Sequence, residues 1–245
     1  MGRMPISAFR VKNQGQTEDS QCRRRVRFRA ARWSVLLAGM SAGAQGSTMI
    51  QPLHFFVEDA LIQAIPLAQW NDRLLRMVAR ADQLLCYEMN RAEKARGCDL
   101  RIGEGVKVTP FDRSLEDGLR RTWSEGKTAP GALNQDGLNF LFDQTDPSER
   151  RIFVVRRLLS CDGNRVEALA CTRFFEPATV LAFDGQLFPI DNAVTLLHEL
   201  GHQVGLKDVP DPHSLMYRGR PVPRAGTKMN AAEAAAFRKL LTLSW

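Results

Sequence analysis

Three of the four histidines in this 245-residue chain, His198, His202 and His213, lie within sixteen residues of one another. The first two belong to the string HELGH at residues 198–202. Because residues four apart lie on one face of a helix, both imidazoles can bind the same metal ion. Glu199 directly follows the first histidine, which places a carboxylate beside that ion as a general base. The pattern predicts metal-assisted hydrolysis.

Two helical ligands do not complete a catalytic zinc site, which has three protein ligands and one position open to water. Gly205 can adopt a left-handed conformation that ends the helix and turns the chain. The residue three positions further on is Asp208, whose carboxylate would then return to the metal. His213 is the alternative third ligand, because imidazole is the commoner partner of zinc.

Residues 198–208 read HELGHQVGLKD and residues 214–217 read SLMY. Together they resemble the metzincin class of zinc metalloendopeptidases, whose signature is an extended H-E-x-x-H-x-x-G-x-x-H/D motif followed by a Met-turn. The resemblance implies three zinc ligands: His198, His202 and Asp208. It also implies that Glu199 is the general base and that Met216 forms an apolar floor beneath the ligands. The implied substrate is a peptide or protein.

The chain departs from most metzincins at two positions. Asp208 stands where most members have histidine, and in this it is similar to the snapalysin-type secreted bacterial peptidases. A carboxylate ligand lowers the charge of the zinc centre by one relative to a third imidazole, so weaker activity or activity at higher pH is expected. Tyr217 follows Met216 directly instead of standing two places after it, so the metal-assisting role of the astacin and serralysin tyrosine is not transferred to it.

The segments around this motif predict one α+β domain spanning residues 50–245. Strands are predicted at residues 53–57, 98–108, 151–155, 168–175 and 178–183. Helices are predicted from Asn71 to about Arg96 with Gly97 as its end, from Asp191 or Asn192 through the histidines, and from a capping box at Asn230 and Glu233 to Leu241. Residues 110–148 are predicted to form a polar, turn-rich surface excursion.

The resemblance sharpens this fold prediction to a metzincin-like zincin domain. Such a domain has a small mixed twisted sheet, an active-site helix, a Met-turn and a C-terminal helix. It also implies an antiparallel edge strand that binds the substrate by β-augmentation, for which Ala168 to Phe174 is the candidate. His54, on an apolar strand, is predicted to be a structural histidine with its hydrogen bonds satisfied.

The net charge of +7 is confined to the amino-terminal segment. Residues 1–33 contain nine Lys or Arg against Glu18 and Asp19, which leaves 25 basic and 25 acidic side chains in residues 34–245. The predicted domain therefore has no net charge, and we predict no nucleic-acid-binding surface on it.

Residues 1–44 are predicted to be a basic leader. The basic cluster from Arg23 to Arg32 is followed by a short apolar stretch, 34–44, that ends in Ala-Gly-Ala, the order of a secretory signal peptide. Eleven residues are too few for a permanent membrane span. The prediction is a secreted or periplasmic protein. The alternative is a disordered basic arm with translation starting at Met49, which would leave the protein in the cytoplasm.

Four cysteines lie beyond the leader, an even number that suits an oxidising compartment. Four cysteines allow three pairings, and short spacing favours Cys86 with Cys98 and Cys161 with Cys171. The alternative is four ordinary buried thiols in a cytosolic protein.

Two other functions are compatible with the histidine motif. One is a non-catalytic, zinc-stabilised binding protein, although a structural site needs no base such as Glu199 and normally closes its fourth coordination position. The other is a gluzincin-type cytosolic peptidase that takes its third ligand, Glu233, from the last helix. Phe237 stands where that type has an acidic residue four positions on.

Overall fold

The computed structural model describes residues 52–94, 101–103, 105–125, 132–146, 148–161, 168–183, 189–218 and 228–241. Its strands are β1 (Leu53–Val57), β2 (Lys107–Pro110), β3 (Arg150–Val155), β4 (Ala170–Thr172) and β5 (Ala178–Ala182). Its helices are α1 (Asp59–Ala64), α2 (Leu67–Glu93), α3 (Arg113–Glu125), α4 (Gln135–Phe142), α5 (Pro189–Gln203) and α6 (Ala231–Arg238), with a 3₁₀ turn at Lys239–Leu241.

The five strands form one mixed sheet in the order β2-β1-β3-β5-β4. The first four of these are mutually parallel, and β4 pairs antiparallel with β5 at one end of the sheet. This arrangement confirms the predicted α+β class. It also confirms that the segment following Ala168 supplies an antiparallel edge strand, although β4 is shorter than the predicted 168–175.

The sheet is covered by helices on both faces, and β3 shows why. Ile152 and Val154 belong to one core cluster, while Phe153 and Val155 belong to the other. Alternate residues of a strand point to opposite faces, so a continuous apolar run is what a doubly covered central strand requires. Helices α2, α5 and α6 pack on the first face. Helices α3 and α4 contribute to the second cluster.

The prediction of a polar surface excursion at 110–148 is wrong, because this range contains α3 and α4. Leu115 and Leu119 of α3 are buried, as are Leu138 and Leu141 of α4. Their spacing of three or four residues is enough to make one buried helix face. Asp117, Arg120 and Arg121 of α3 are exposed, and such charged residues made the segment read as polar.

The bounds of the helices differ from those predicted. Helix α2 begins at Leu67, directly after Pro66, and ends at Glu93; the next residue, Lys94, takes the left-handed conformation with φ of 52°. The predicted terminator Gly97 lies outside the described residues. Helix α5 begins at Pro189 rather than at Asp191 or Asn192, since proline suits the first position of a helix. The capping box at Asn230 is present as predicted.

The prediction of a strand over 98–108 is wrong for residues 101–103, 105 and 106, which are described and are not strand. Only its last two residues belong to β2, which continues to Pro110. The backbone N–H groups of Ile102 and Gly103 instead donate to the carboxylate of Asp82 on α2. Residues 98–100 lie outside the described residues.

Cys161 and Cys171 form the predicted disulfide, which joins the segment after β3 to the edge strand β4. Cys98 lies outside the described residues, so its pairing with Cys86 stays a prediction. His54 is a structural histidine as predicted, since its ring nitrogens are hydrogen-bonded to Glu149 and Thr109. The leader at 1–44 also lies outside the described residues. None of the helices described above is long and apolar enough to cross a membrane.

Candidate metal centre

Helix α5 brings His198 and His202 to one side of the domain. Its apolar residues recur every three or four positions and are buried in the core: Ala193, Leu196, Leu197, Leu200 and Val204. This stripe fixes the rotation of the helix about its axis. The two histidines lie beside the stripe, with only 16% and 10% of their side chains exposed.

The chain turns back immediately after α5 through Gly205. The N–H of Gly205 donates to the carbonyl of His202, and the N–H of Leu206 donates to the carbonyl of Gly201. This pair of bonds is the Schellman motif, with glycine in the left-handed position at φ of 84°. A Cβ at Gly205 would also lie 2.4 Å from the ring of Phe175. The turn predicted from the glycine is therefore present.

The turn places Asp208 next to both histidines. Its Oδ1 lies 3.2 Å from Nε2 of His198 and 3.4 Å from Nε2 of His202, and the two Nε2 atoms are 3.1 Å apart. Within the described parts of the chain, these residues are the group whose ligand atoms converge closely enough to hold a metal ion.

Backbone carbonyls determine which ring nitrogens face this point. Nδ1 of His198 lies 3.0 Å from the carbonyl oxygen of Leu215, and Nδ1 of His202 lies 2.8 Å from that of Leu206. A carbonyl oxygen only accepts, so each Nδ1 must carry the hydrogen. The neutral rings therefore direct the lone pairs of both Nε2 atoms at each other and at Asp208, an arrangement that a cation stabilises.

The spacing of the three atoms fits a zinc ion. Zinc bonds to nitrogen and oxygen at about 2.0 to 2.2 Å in a tetrahedron, which sets its ligand atoms about 3.3 Å apart. The observed separations of 3.1, 3.2 and 3.4 Å bracket that value. Two imidazole nitrogens and one carboxylate oxygen are also a donor set that zinc accepts.

The electrostatics of the group are those of a cation site. Burial alone would lower the pKa of His198 and His202, but hydrogen bonding to Asp208 and the charge of Glu199 raise the net pKa of both rings. Hydrogen bonds from the same two rings hold the pKa of Asp208 well below its usual range. Both shifts indicate that the three residues together stabilise positive charge at the point where they meet.

Glu199 is buried beside this group, with 5% of its surface exposed. Its Oε2 has no hydrogen-bond partner among the residues described here. Burying an unpaired carboxylate oxygen is costly, so such an oxygen marks a place where a water molecule or a ligand is to be bound.

The turn at 214–217 contacts both His198 and the neighbouring part of α5. Its Leu215 carbonyl accepts from His198, and its Met216 carbonyl accepts from the N–H of Val209. The Met216 side chain is buried against Gly201, where an added Cβ would lie 2.5 Å from Sδ. A glycine between the two histidines is therefore what allows the methionine to reach this position.

A buried polar chain lies behind α5. Arg150 donates from Nη1 to Oε1 of Gln203 at 2.6 Å and from Nη2 to the carbonyl of Leu240 at 3.2 Å. Gln203 in turn donates to Oγ1 of Thr179 on β5. Burial lowers the pKa of Arg150 to about 10, so the guanidinium is still charged at neutral pH.

The alternative ligands lie outside the converging group. His213 is exposed, and its backbone N–H donates to Asp211. Both carboxylate oxygens of Glu233 are occupied, by the hydroxyl of Ser214 and by the N–H of Asn230. Tyr217 is half-buried and follows the turn.

Sequence reasoning missed two kinds of contributors to this site. The carbonyls of Leu206 and Leu215 orient the histidines, but a backbone atom has no signature in residue type. Phe174 and Phe175 lie beside His202 and were assigned to a strand. Two adjacent aromatic residues in a strand would point to opposite faces, so one exposed ring was the signal that could have been used.

No protein-family model and no curated protein matches the chain. Among solved structures, it is similar to archaemetzincin from Methanopyrus kandleri, with 16% sequence identity, a TM-score of 0.49 and coverage of 82% of this chain and 100% of that one. Archaemetzincin from Archaeoglobus fulgidus is 12% identical, with a TM-score of 0.39 and coverage of 75% and 99%. Metalloproteinase-II from Bacteroides fragilis is 13% identical, with a TM-score of 0.41 and coverage of 80% and 55%. At these identities and TM-scores, the similarities carry no functional argument.

Proposed function

We propose that the protein is a zinc-dependent endopeptidase of the metzincin type, with Glu199 as its general base. One observation carries the proposal: three lone-pair-bearing atoms of His198, His202 and Asp208 converge within 3.4 Å, beside a buried carboxylate with an unpartnered oxygen. The spacing suits zinc, and the adjacent carboxylate suits hydrolysis.

His198, His202 and Asp208 would hold the ion, which when bound polarises a peptide carbonyl and lowers the pKa of a water molecule. Glu199 accepts the proton of the attacking water at its unpartnered oxygen and later passes a proton to the leaving amine. Its burial keeps bulk water from competing for that oxygen. The Leu206 and Leu215 carbonyls keep both imidazoles in the tautomer that presents Nε2.

Access to the group is supported by two features. Asp208 has 49% of its side chain exposed, so the group is open to solvent on that side. Strand β4 contacts α5, and among the described strands it pairs only with β5, so its other edge could bind an extended peptide by β-augmentation. The substrate class that follows is a peptide or an extended protein segment.

The metzincin assignment is supported by the turns on either side of Asp208. The Schellman turn at Gly205 leads to Asp208 beside the two histidines, and Met216 is buried against Gly201, which lies between them in the sequence. Both are the features that the extended motif and the Met-turn require. Met216 does not react, since its sulfur is packed against Gly201.

An oxidising location, secreted or periplasmic, is part of the proposal. The disulfide between Cys161 and Cys171 supports it, because such bonds persist outside the reducing cytosol. Amino-terminal sequencing of protein recovered outside the cytoplasm is expected to show cleavage near Ala44. Recovery with an intact Met1 would contradict export by a cleaved signal.

Zinc stoichiometry tests the ligand set. We expect one zinc per chain in the wild type and in His213→Ala, and loss of zinc in Asp208→Ala. Glu233→Ala is expected to keep zinc but to lose stability, because it removes the acceptor of two hydrogen bonds, one of them buried. Zinc lost from His213→Ala and kept by Asp208→Ala would overturn the assignment of Asp208.

Casein hydrolysis tests catalysis. We expect cleavage by the zinc-loaded protein, loss of cleavage on chelation and recovery on adding zinc. Glu199→Gln should retain zinc without cleaving. Full zinc occupancy with no hydrolysis of casein or of a peptide library by the wild type would show a zinc-stabilised binding protein instead.

A further inference from the structure

Two exposed aromatic side chains lie directly beside the metal centre. The described part of the chain has four exposed large hydrophobic residues, and Phe174 and Phe175 are two of them, at 44% and 62% exposure. The ring of Phe174 meets the ring of His202 edge-on, with the centroids 5.1 Å apart. The other two, Leu75 and Tyr87, lie on α2. Exposed apolar side chains that adjoin one another, rather than lying singly, are candidates for a binding surface.

The backbone that carries this aromatic pair is held to the active-site helix. The N–H of Phe175 donates to the carbonyl of His202 at 3.3 Å, and its ring lies over Gly205. The aromatic pair is therefore held against the same turn that brings Asp208 to the histidines.

The far side of the pair is anchored by Arg173. Its guanidinium donates to Asn139 of α4 at 2.7 Å and lies over the ring of Phe142, 4.8 Å from the centroid. Asp143 and Glu176 lie 3.8 Å from the same guanidinium, so its charge is compensated locally. What the segment presents beside the histidines is an apolar surface.

Phe175 also carries backbone strain. Its φ of 62° is in the left-handed region, where a residue with a Cβ is disfavoured by roughly 1–2 kcal/mol. Strained residues of this kind concentrate at functional sites, where the surrounding structure holds them. Here the strained residue exposes its aromatic ring to solvent. The strain is therefore not offset by burial of the ring in the core.

We infer that Phe174 and Phe175 form an apolar subsite that binds a large hydrophobic side chain of the peptide substrate close to the scissile bond. The inference rests on the proposed peptidase function. Phe174 touches a proposed metal ligand, and an extended peptide advances about 3.3 Å per residue. A side chain resting on this ring therefore belongs to a residue within one or two positions of the reacting carbonyl.

Peptide binding to zinc-loaded Glu199→Gln tests the subsite without hydrolysis. Two blocked hexapeptides of alanine and glycine are compared, identical except for one central residue that is leucine or alanine. We expect the leucine peptide to bind roughly ten-fold more tightly, the order of magnitude for burying a leucine side chain. Because an uncleaved peptide can choose its register, the leucine can reach the subsite from a central position.

Phe174→Ser and Phe175→Asn, each in the Glu199→Gln background, are expected to bring this ratio close to one. Asparagine tolerates the left-handed conformation, so Phe175→Asn removes the ring without adding strain. The matched control is Tyr87→Ser, which removes an exposed aromatic side chain from α2 and should keep the ten-fold ratio. Circular dichroism and zinc content verify that each variant is folded.

The outcomes separate this inference from the proposed function. Equal binding of the two peptides, no binding of either, or a ratio unaffected by both phenylalanine substitutions would overturn the subsite. If the wild type hydrolyses casein but Glu199→Gln binds the leucine and alanine peptides equally, the subsite alone would be overturned. A leucine preference that the substitutions abolish, in a protein that hydrolyses nothing, would support the subsite and overturn the catalytic proposal.

Discussion

Glu199 and Glu58 are both buried, and each has one carboxylate oxygen without a hydrogen-bond partner among the described residues. The other oxygen of Glu58 accepts from the N–H of Arg156 at 2.7 Å, at the end of β3. Glu58 precedes α1 and is more than 100 residues from α5 in the sequence. Each carboxylate therefore has one buried oxygen without a hydrogen bond, but the residues around the two carboxylates differ.

Those neighbours determine what each oxygen can do. Burial and the nearby charge of Glu116 raise the pKa of Glu58, which favours its protonated form. Glu199 instead lies beside two imidazoles whose pKa its charge helps to raise. The unpaired oxygen of Glu199 therefore lies beside a group of residues suited to hold a cation, whereas that of Glu58 lies where burial and Glu116 favour a bound proton.

The largest expected effect separates the two glutamates by activity. Glu199→Gln should reduce kcat on a peptide substrate by roughly 10²- to 10⁴-fold, the usual contribution of a general base. Glu58→Gln should change kcat by less than about two-fold, because its local role is structural. Steady-state kinetics on both zinc-loaded variants measures this difference. Comparable losses of kcat in both variants would contradict a catalytic role for Glu199 that Glu58 lacks.

The turn at Gly205 should affect zinc binding beside Glu199 as well as the stability of the fold. Gly205→Ala forces a Cβ into a left-handed residue and against Phe175, so we expect a loss of at least roughly 1–2 kcal/mol of unfolding free energy and weakened zinc binding. Gly105→Ala is the matched control, since Gly105 has φ of 74° and lies near Pro52. Denaturant unfolding and zinc titration should show a stability loss in both variants. Unchanged zinc affinity in Gly205→Ala would argue against the turn as the support of Asp208.

The contact between Gly201 and Met216 should give a smaller effect. Gly201→Ala places a Cβ 2.5 Å from Sδ, and overpacking typically costs about 1–3 kcal/mol, partly offset by the better helix propensity of alanine. Kinetics and unfolding should show Met216→Ala relieving part of the loss in the double variant. Gly118→Ala, where Phe140 is the obstructing residue, should destabilise the protein without lowering kcat per zinc-loaded molecule.

The smallest effect is on the pH dependence of stability at Glu58. Because its pKa in the fold is raised above the ordinary 4.5, its favourable contribution is complete below that value and is lost as the pH rises through the raised pKa. Glu58→Gln should therefore melt at a higher temperature than the wild type at neutral pH. The difference should shrink as the pH falls below 4.5. A melting difference that does not vary with pH would contradict a raised pKa.

The sequence was most informative where one residue determines the backbone conformation of a turn, or where the spacing of two residues places them on the same face of a helix. His198 and His202 share a helix face by spacing alone, and Gly205 predicted the turn to Asp208 because few other residues tolerate that conformation. The continuous apolar run at 152–155 likewise predicted a strand, and β3 lies in the middle of the sheet.

The sequence was least informative where a few apolar residues are scattered among charges. Leu115 and Leu119 anchor α3 although most of their neighbours are polar, and tertiary packing rather than composition decides such a helix. Phe175 was expected to continue a strand, but its left-handed conformation is set by contacts with His202 and Gly205 from a distant segment. Neither contact is encoded locally.

The buried guanidinium of Arg150 joins α5 to the segment that follows α6. It donates to Gln203, the neighbour of His202, and to the carbonyl of Leu240 in the Lys239–Leu241 turn. Removing this turn would take an acceptor away from a buried charge, which is costly. Recombinant protein for enzymatic assays should therefore retain residues 239–241.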